Sequence, residues 1–126
     1  MKTILVPTDF SKNSLKALRF AIELAVKNSF KIIAVHQTSI LEMAPESTFT
    51  GFYVPSPIDQ IGFLKNELEK FVNRAINTSA SKINKSAITS EIIPGVGTVE
   101  IILETAKKHK ADIIILGSTG ASGLKR

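Results

Sequence analysis

Short runs of consecutive apolar residues alternate along the chain with longer stretches in which apolar positions recur every three or four residues. Residues 3–6, Thr-Ile-Leu-Val, form the first run, and Pro7, which has no N–H to give to a ladder, closes it. Ser11 then stands where a helix N-cap belongs. Behind it Leu15, Leu18, Ile22 and Ala25 repeat at helical spacing, with Ala17, Ala21 and Leu24 widening the stripe. Residues 31–36, Lys-Ile-Ile-Ala-Val-His, are a second buried run. Residues 37–58 show little periodicity and carry Pro45, Gly51, Pro55 and Pro57. At about twenty residues this connection is longer than most in compact domains, which marks it as a lid, a binding loop or a disordered stretch.

From Asp59 a second helix presents Ile61, Leu64, Leu68, Phe71, Val72, Ala75 and Ile76 on one face. Residues 87–93 read as a third strand, stopped by Pro94-Gly95. Gly97 and Thr98 open a third helix whose inward positions are Val99, Ile102, Leu103 and Ala106, and residues 112–116 form the fourth strand. Four strands interleaved with three helices are the pattern of an α/β fold, an open parallel sheet with helices on both faces. The near-continuous apolar runs agree, because half-exposed antiparallel strands would alternate. After the fourth strand a Gly-rich turn leads nowhere within the sequence, so the C-terminus reads as abrupt.

Composition narrows the classes. With 126 residues, 44% hydrophobic and 21% charged, the chain is one globular domain. The absence of cysteine excludes a disulfide framework and thiolate chemistry, and it suits a cytoplasmic setting. The net charge of +5 comes largely from lysines spread along the chain. The densest cluster, Lys107-Lys108-His109-Lys110, falls at the end of a helix, where cations complement the dipole; it is read that way, with His109 on the surface. One Tyr and no Trp leave few stacking platforms for bases, so no nucleic-acid partner is expected. No apolar run reaches the ~18 residues of a membrane span, and no membrane partner is expected.

Ligands of open α/β sheets bind outside the carboxyl ends of the strands, where the strand order reverses. Two segments have suitable chemistry there. Pro7-Thr8-Asp9-Phe10-Ser11 follows the first strand and carries a carboxylate; Gly117-Ser118-Thr119-Gly120 follows the fourth. Glycines let backbone N–H groups approach a phosphate, and hydroxyls add donors. Each segment also has a plain structural reading: Asp9 as an acid beside a helix N-terminus, and the Gly-x-x-Gly as a tight turn. His36 at the end of a strand reads as a hydrogen-bonded structural residue, and Phe49, Phe52 and Tyr53 as packing on the nearest helix. No Gly-x-Ser-x-Gly elbow, no Gly-x-x-x-x-Gly-Lys-[Ser/Thr] loop and no Gly-x-Gly-x-x-Gly follows a strand, and no acid–base pair offers itself. The residues do not read as an enzyme.

Ile4-Leu5-Val6-Pro7-Thr8-Asp9-Phe10-Ser11 before an Ala/Leu-rich helix resembles the opening of a universal stress protein domain. Ile33-Ala34-Val35-His36 resembles its second strand, the stretch from Gly95 to Gly117 its third helix and fourth strand, and Gly117 to Lys125 the loop that follows. The resemblance covers residues 1–126 apart from the divergent stretch 37–58. It implies a five-stranded parallel sheet in the order 3-2-1-4-5, with the last helix and strand lying beyond Arg126. It further implies an adenine nucleotide, ATP with Mg²⁺, as cofactor, and a homodimer joined at the fifth strand. By the same resemblance Pro7, Thr8 and Asp9 hold ribose and adenine, and Leu116, Gly117 and Ser118 meet base and sugar-phosphate. Gly117 and Gly120 begin a Gly-x-x-Gly, spacer, Gly-[Ser/Thr] phosphate motif whose second half lies beyond Arg126. Gln37 stands where the family usually has an apolar residue beside the base, and it either bonds adenine or excludes it. The implied role is a nucleotide-binding signalling module; the alternative is a member without ATP that works as a dimeric interaction module.

Overall fold

The computed structural model describes residues 2–38, 57–95 and 98–117; Ser118, Gly120, Gly97, Phe49, Phe52 and Tyr53 lie outside the described residues. The elements run β1 (Thr3–Pro7), α1 (Lys12–Asn28), β2 (Lys31–Thr38), α2 (Pro57–Thr78), a 3₁₀ turn (Lys85–Ala87), β3 (Ile88–Pro94), α3 (Thr98–Lys108) and β4 (Ile113–Ile114). All pairings are parallel, and the sheet order is β3-β2-β1-β4. The strand order therefore reverses between β1 and β4, the two strands that follow each other in space but not in sequence.

Alternation along the strands sorts the core into two layers. Ile4, Val6, Ile32 and Ala34 face one way and pack against Leu18, Ala21 and Ile22 of α1 and Leu68, Phe71 and Val72 of α2. Leu5, Ile33 and Val35 face the other way, against Ile102 and Ala106 of α3. Because both faces of β1 and β2 are covered, their residues have no polar alternation to show. Ile4, Leu5, Leu18, Ile22, Ile32 and Leu68 are completely buried, and each such side chain stabilises the fold by about 1.5–3 kcal/mol.

The first helix begins as its sequence dictates. Ser11 is extended, at φ −78° and ψ 168°, and its side chain accepts from the Ser14 N–H. Ser29 closes the helix in the left-handed conformation, at φ 60°, with its N–H bonded to the Ala25 carbonyl.

The structure corrects several expectations. β2 continues to Thr38, so Gln37 is a strand residue, and α2 begins at Pro57 rather than Asp59. The regular part of β4 is only Ile113–Ile114. Its ladder nevertheless extends from the Asp112 N–H on the Thr3 carbonyl (2.9 Å) to the Ile115 N–H on the Leu5 carbonyl (3.0 Å). Val99 and Leu103, expected inside, are 66% and 54% exposed. A single helix covers this side of the sheet among the described residues, so only its Ile102 and Ala106 stripe meets the strands. His109, expected on the surface, is half-buried, with its Nε2 2.8 Å from the Glu91 carboxylate.

Candidate functional site

The C-terminal end of β1 turns sharply. The Thr8 N–H donates to the Val35 carbonyl at 2.8 Å, the last rung shared with β2. Phe10 then takes a left-handed conformation, φ 67°, which is uncommon for a bulky residue. Its ring holds the turn in place, stacked on His36 with centroids 4.3 Å apart and set edge-on to Phe71 at 5.7 Å. His36 Nδ1 lies 2.8 Å from the Thr8 carbonyl oxygen. A carbonyl only accepts, so Nδ1 carries the proton and His36 is a brace under the turn, in keeping with its structural reading.

Within the turn, the polar groups of β1 and α1 interlock. Thr8 is buried, and its hydroxyl oxygen accepts from the Phe10 N–H at 3.0 Å. Asp9 is exposed; its Oδ1 accepts from the Ser11 N–H at 3.0 Å and the Ser14 hydroxyl at 2.7 Å. The Ser14 hydroxyl oxygen in turn accepts from the Asp9 N–H at 3.2 Å. The Ser11 side chain is the largest cause that holds the Asp9 carboxyl below its ordinary value; partial burial opposes it, and Ser14 and backbone N–H groups add to the lowering. A carboxylate is thus fixed in its charged form at the mouth of the crevice. Ser14, buried in the first turn of α1, was not singled out from the sequence; its place three residues after the cap was the available signal.

Gly117 reaches the same turn from β4. A Cβ on it would fall 2.8 Å from both the carbonyl carbon and oxygen of Asn13 and 2.9 Å from the Ser14 nitrogen. Only glycine lets the β4 strand end lie on the first turn of α1. Gly117, the described residue of the second candidate segment, therefore meets the helix start that follows the first, at the switch point of the sheet. Pro7, half-buried, and Leu116, 61% exposed, flank this junction, and the helix N-terminus beneath it is suited to negative charge.

Gln37 stands further along the strand ends. Its amide bridges to the start of α3, Nε2 donating to the Gly95 carbonyl and Oε1 accepting from the Thr98 hydroxyl at 3.3 Å. Gly95, at φ 149°, forms this corner with its own N–H on the Thr38 carbonyl at 2.9 Å. No group of three or more His, Cys, Asp or Glu able to hold a metal occurs among the described residues. No helix among them is long and apolar enough to cross a membrane.

The family model described as Universal stress protein family matches residues 1–126. The chain belongs to the universal stress protein family. A universal stress protein of Methanocaldococcus jannaschii is 31% identical over 125 residues, covering 99% of this chain and 69% of that protein. The universal stress protein YxiE of Bacillus subtilis is 32% identical over 125 residues, 97% of this chain and 82% of its own length. Among solved structures, a universal stress protein in complex with cAMP superposes with a TM-score of 0.56 at 26% identity, covering 90% of this chain and 69% of that one. The protein Rv1636 from Mycobacterium tuberculosis gives a TM-score of 0.57 at 25% identity, with 94% and 71% covered. The open parallel sheet formed by the four described strands superposes on the fold of these solved relatives.

Proposed function

We propose that this universal stress protein domain binds an adenine nucleotide, in the first place ATP with Mg²⁺, at the crevice between the ends of β1 and β4, and that occupancy rather than turnover is its output. The observation that carries the reading is the convergence of the Asp9 turn and the Gly117 backbone on the first turn of α1. The relative solved with cAMP supports the nucleotide class. In this reading Pro7, Thr8 and Asp9 form the ribose and adenine wall, with Asp9 accepting from a ribose hydroxyl. The backbone at Leu116 and Gly117 meets base and sugar, and the role proposed for Ser118 and Gly120, by the family resemblance, is contact with the sugar-phosphate. In this reading the second N–H of the Gln37 amide donates to a ring nitrogen of adenine. With no metal cluster of its own among the described residues, the protein would take Mg²⁺ on the nucleotide's phosphates. The setting is cytoplasmic.

Isothermal titration with Mg-ATP, and separately with cAMP, tests the reading. Binding in the micromolar range is expected for wild type, weakened by at least about tenfold in Asp9→Asn, which keeps an acceptor for Ser11 and Ser14 but loses the charge. No heat and no thermal shift at millimolar ATP and cAMP would sink it. A second reading, an interaction module that pairs as a homodimer, is favoured by one observation. Val99, Leu103, Ile114 and Leu116 are all exposed on the side of the sheet that, among the described residues, carries only α3.

A further inference from the structure

In a parallel α/β unit every strand begins, and every helix ends, at one end of the molecule. Lysines that close helices and open strands therefore collect there, however scattered they are in sequence. Lys2 precedes β1, Lys27 lies in the last turn of α1, Lys31 begins β2, Lys82 and Lys85 stand between α2 and β3, and Lys110 precedes β4. All six are exposed. The Lys31 N–H donates to the Lys2 carbonyl at 2.9 Å, so those two side chains start from neighbouring points.

Two acids at this end are already engaged, while Glu69, which lines a second hollow with Lys85, offsets one lysine of the six. Glu23 accepts from the Ser81 hydroxyl and from the N–H groups of Ala80 and Ser81, and Asp112 accepts from the Thr3 N–H at 3.0 Å. Helix C-termini contribute roughly half a negative charge each, which six ammonium groups exceed. Beside two of these lysines, Lys31 and Lys82, opens a cavity of ≈ 440 Å³ whose apolar lining includes Ala25, Phe30, Ile83 and Ala87, with Ser29, Asn84 and Ser86 as its polar part. That volume is in the range of about 300–1,000 Å³ typical of ligand pockets.

We propose that this basic end is a docking surface for an acidic segment of a protein partner, which seats one apolar side chain in the cavity between Phe30 and Ile83. Charge complementarity selects an extended anion, since a single carboxylate would use one or two of the six lysines. A membrane surface takes up protruding apolar side chains, whereas of this cavity's apolar lining Phe30, Ile83 and Ala87 are half-buried and Val26 alone stands exposed. Nucleic acid needs aromatic platforms, and the one aromatic ring of the cavity, Phe30, is half-buried in its wall. The surface lies at the opposite end of the strands from Asp9, so the proposal does not rest on the nucleotide reading.

Fluorescence anisotropy on the full chain tests it. The probes are a labelled Glu/Asp-rich peptide with one central leucine, the same peptide with serine there, a single-stranded oligonucleotide of equal charge, and phosphatidylglycerol vesicles. The leucine peptide is expected to bind at least about tenfold more tightly than the serine peptide, with affinity falling as salt rises. K31A/K82A should weaken it by at least about tenfold, and K31E/K82E by more. K16E/K70E, which makes the same charge change as the glutamate pair elsewhere on the surface, should retain binding. Equal affinity for the two peptides, unchanged affinity in the alanine pair, or tighter binding of the oligonucleotide or the vesicles would overturn the proposal. The alanine pair removes two exposed lysine side chains, stems included, and, with its circular dichroism melt checked, decides the matter if the glutamate pair does not fold.

Discussion

Asp9 is held by the same hydroxyls that begin the first helix, so its charge serves the fold before it serves any ligand. Its lowered pKa fixes the sign of a pH effect. The carboxylate contributes stability above the ordinary value of 3.8, and that contribution is lost as pH falls through the lower folded-state value. Chemical denaturation of wild type and Asp9→Asn is expected to show wild type ahead at neutral pH, with the difference shrinking to nothing in strong acid. Asp9→Ala also removes the acceptor for Ser11 and Ser14 and should cost about 1 kcal/mol in the same assay. Gly117 makes a sharper case. Gly117→Ala drives a methyl group into the Asn13–Ser14 backbone, which cannot give way as a side chain would. A loss of about 1–3 kcal/mol is expected from thermal melts, together with weakened nucleotide binding.

Among the described elements, α1 and α2 share one packed layer while α3 covers the other side by itself. Leu68→Ala on α2 removes a completely buried side chain and should cost about 2–5 kcal/mol by denaturant titration. Phe20→Ser on the outer face of α1, where the ring is 60% exposed, should stay within about 0.5 kcal/mol of wild type. The unequal layers also set the order of local opening. Native-state hydrogen exchange should protect the amides of β1, β2 and the middle of α1 most strongly, and those of α3 and Ile113–Ile114 least. The link from His109 and Lys108 to Glu91 adds an exposed or half-exposed clasp between α3 and β3, worth about 0–1 kcal/mol. If α3 exchanges as slowly as α1, the apolar flank formed by Val99 and Leu103 is covered in solution.

At the scale of the whole molecule, the interaction-module reading assigns association to that flank and to β4, the edge strand among the described residues. Light scattering coupled to size exclusion is expected to show a dimer, and Leu103→Glu with Leu116→Glu should return it to monomer without lowering the melting temperature. A monomeric wild type would remove the interaction-module reading and leave the nucleotide reading untouched.

The elements themselves were legible because their signals are local. A run of β-branched residues ended by Pro7, a stripe from Leu15 to Ala25, and Ser11 as a cap need no knowledge of what lies across the sheet. The same holds for Asp9 beside a helix start and for glycine after the fourth strand, so both halves of the candidate site could be named from the sequence. What periodicity does not carry is which neighbour an apolar face will find. It placed Val99 and Leu103 inside because their spacing is helical, but burial depends on a second element that faces them. It placed His109 outside because lysines surround it, yet the fold brings Glu91 to it from β3. Only the tertiary structure pressed Gly117 against Asn13 and tied Gln37 to Gly95 and Thr98. Only the common direction of the strands turned scattered lysines into one basic surface. Contacts between residues far apart in the chain arise from strand order and layer packing, and these are properties of the assembled sheet rather than of any one segment.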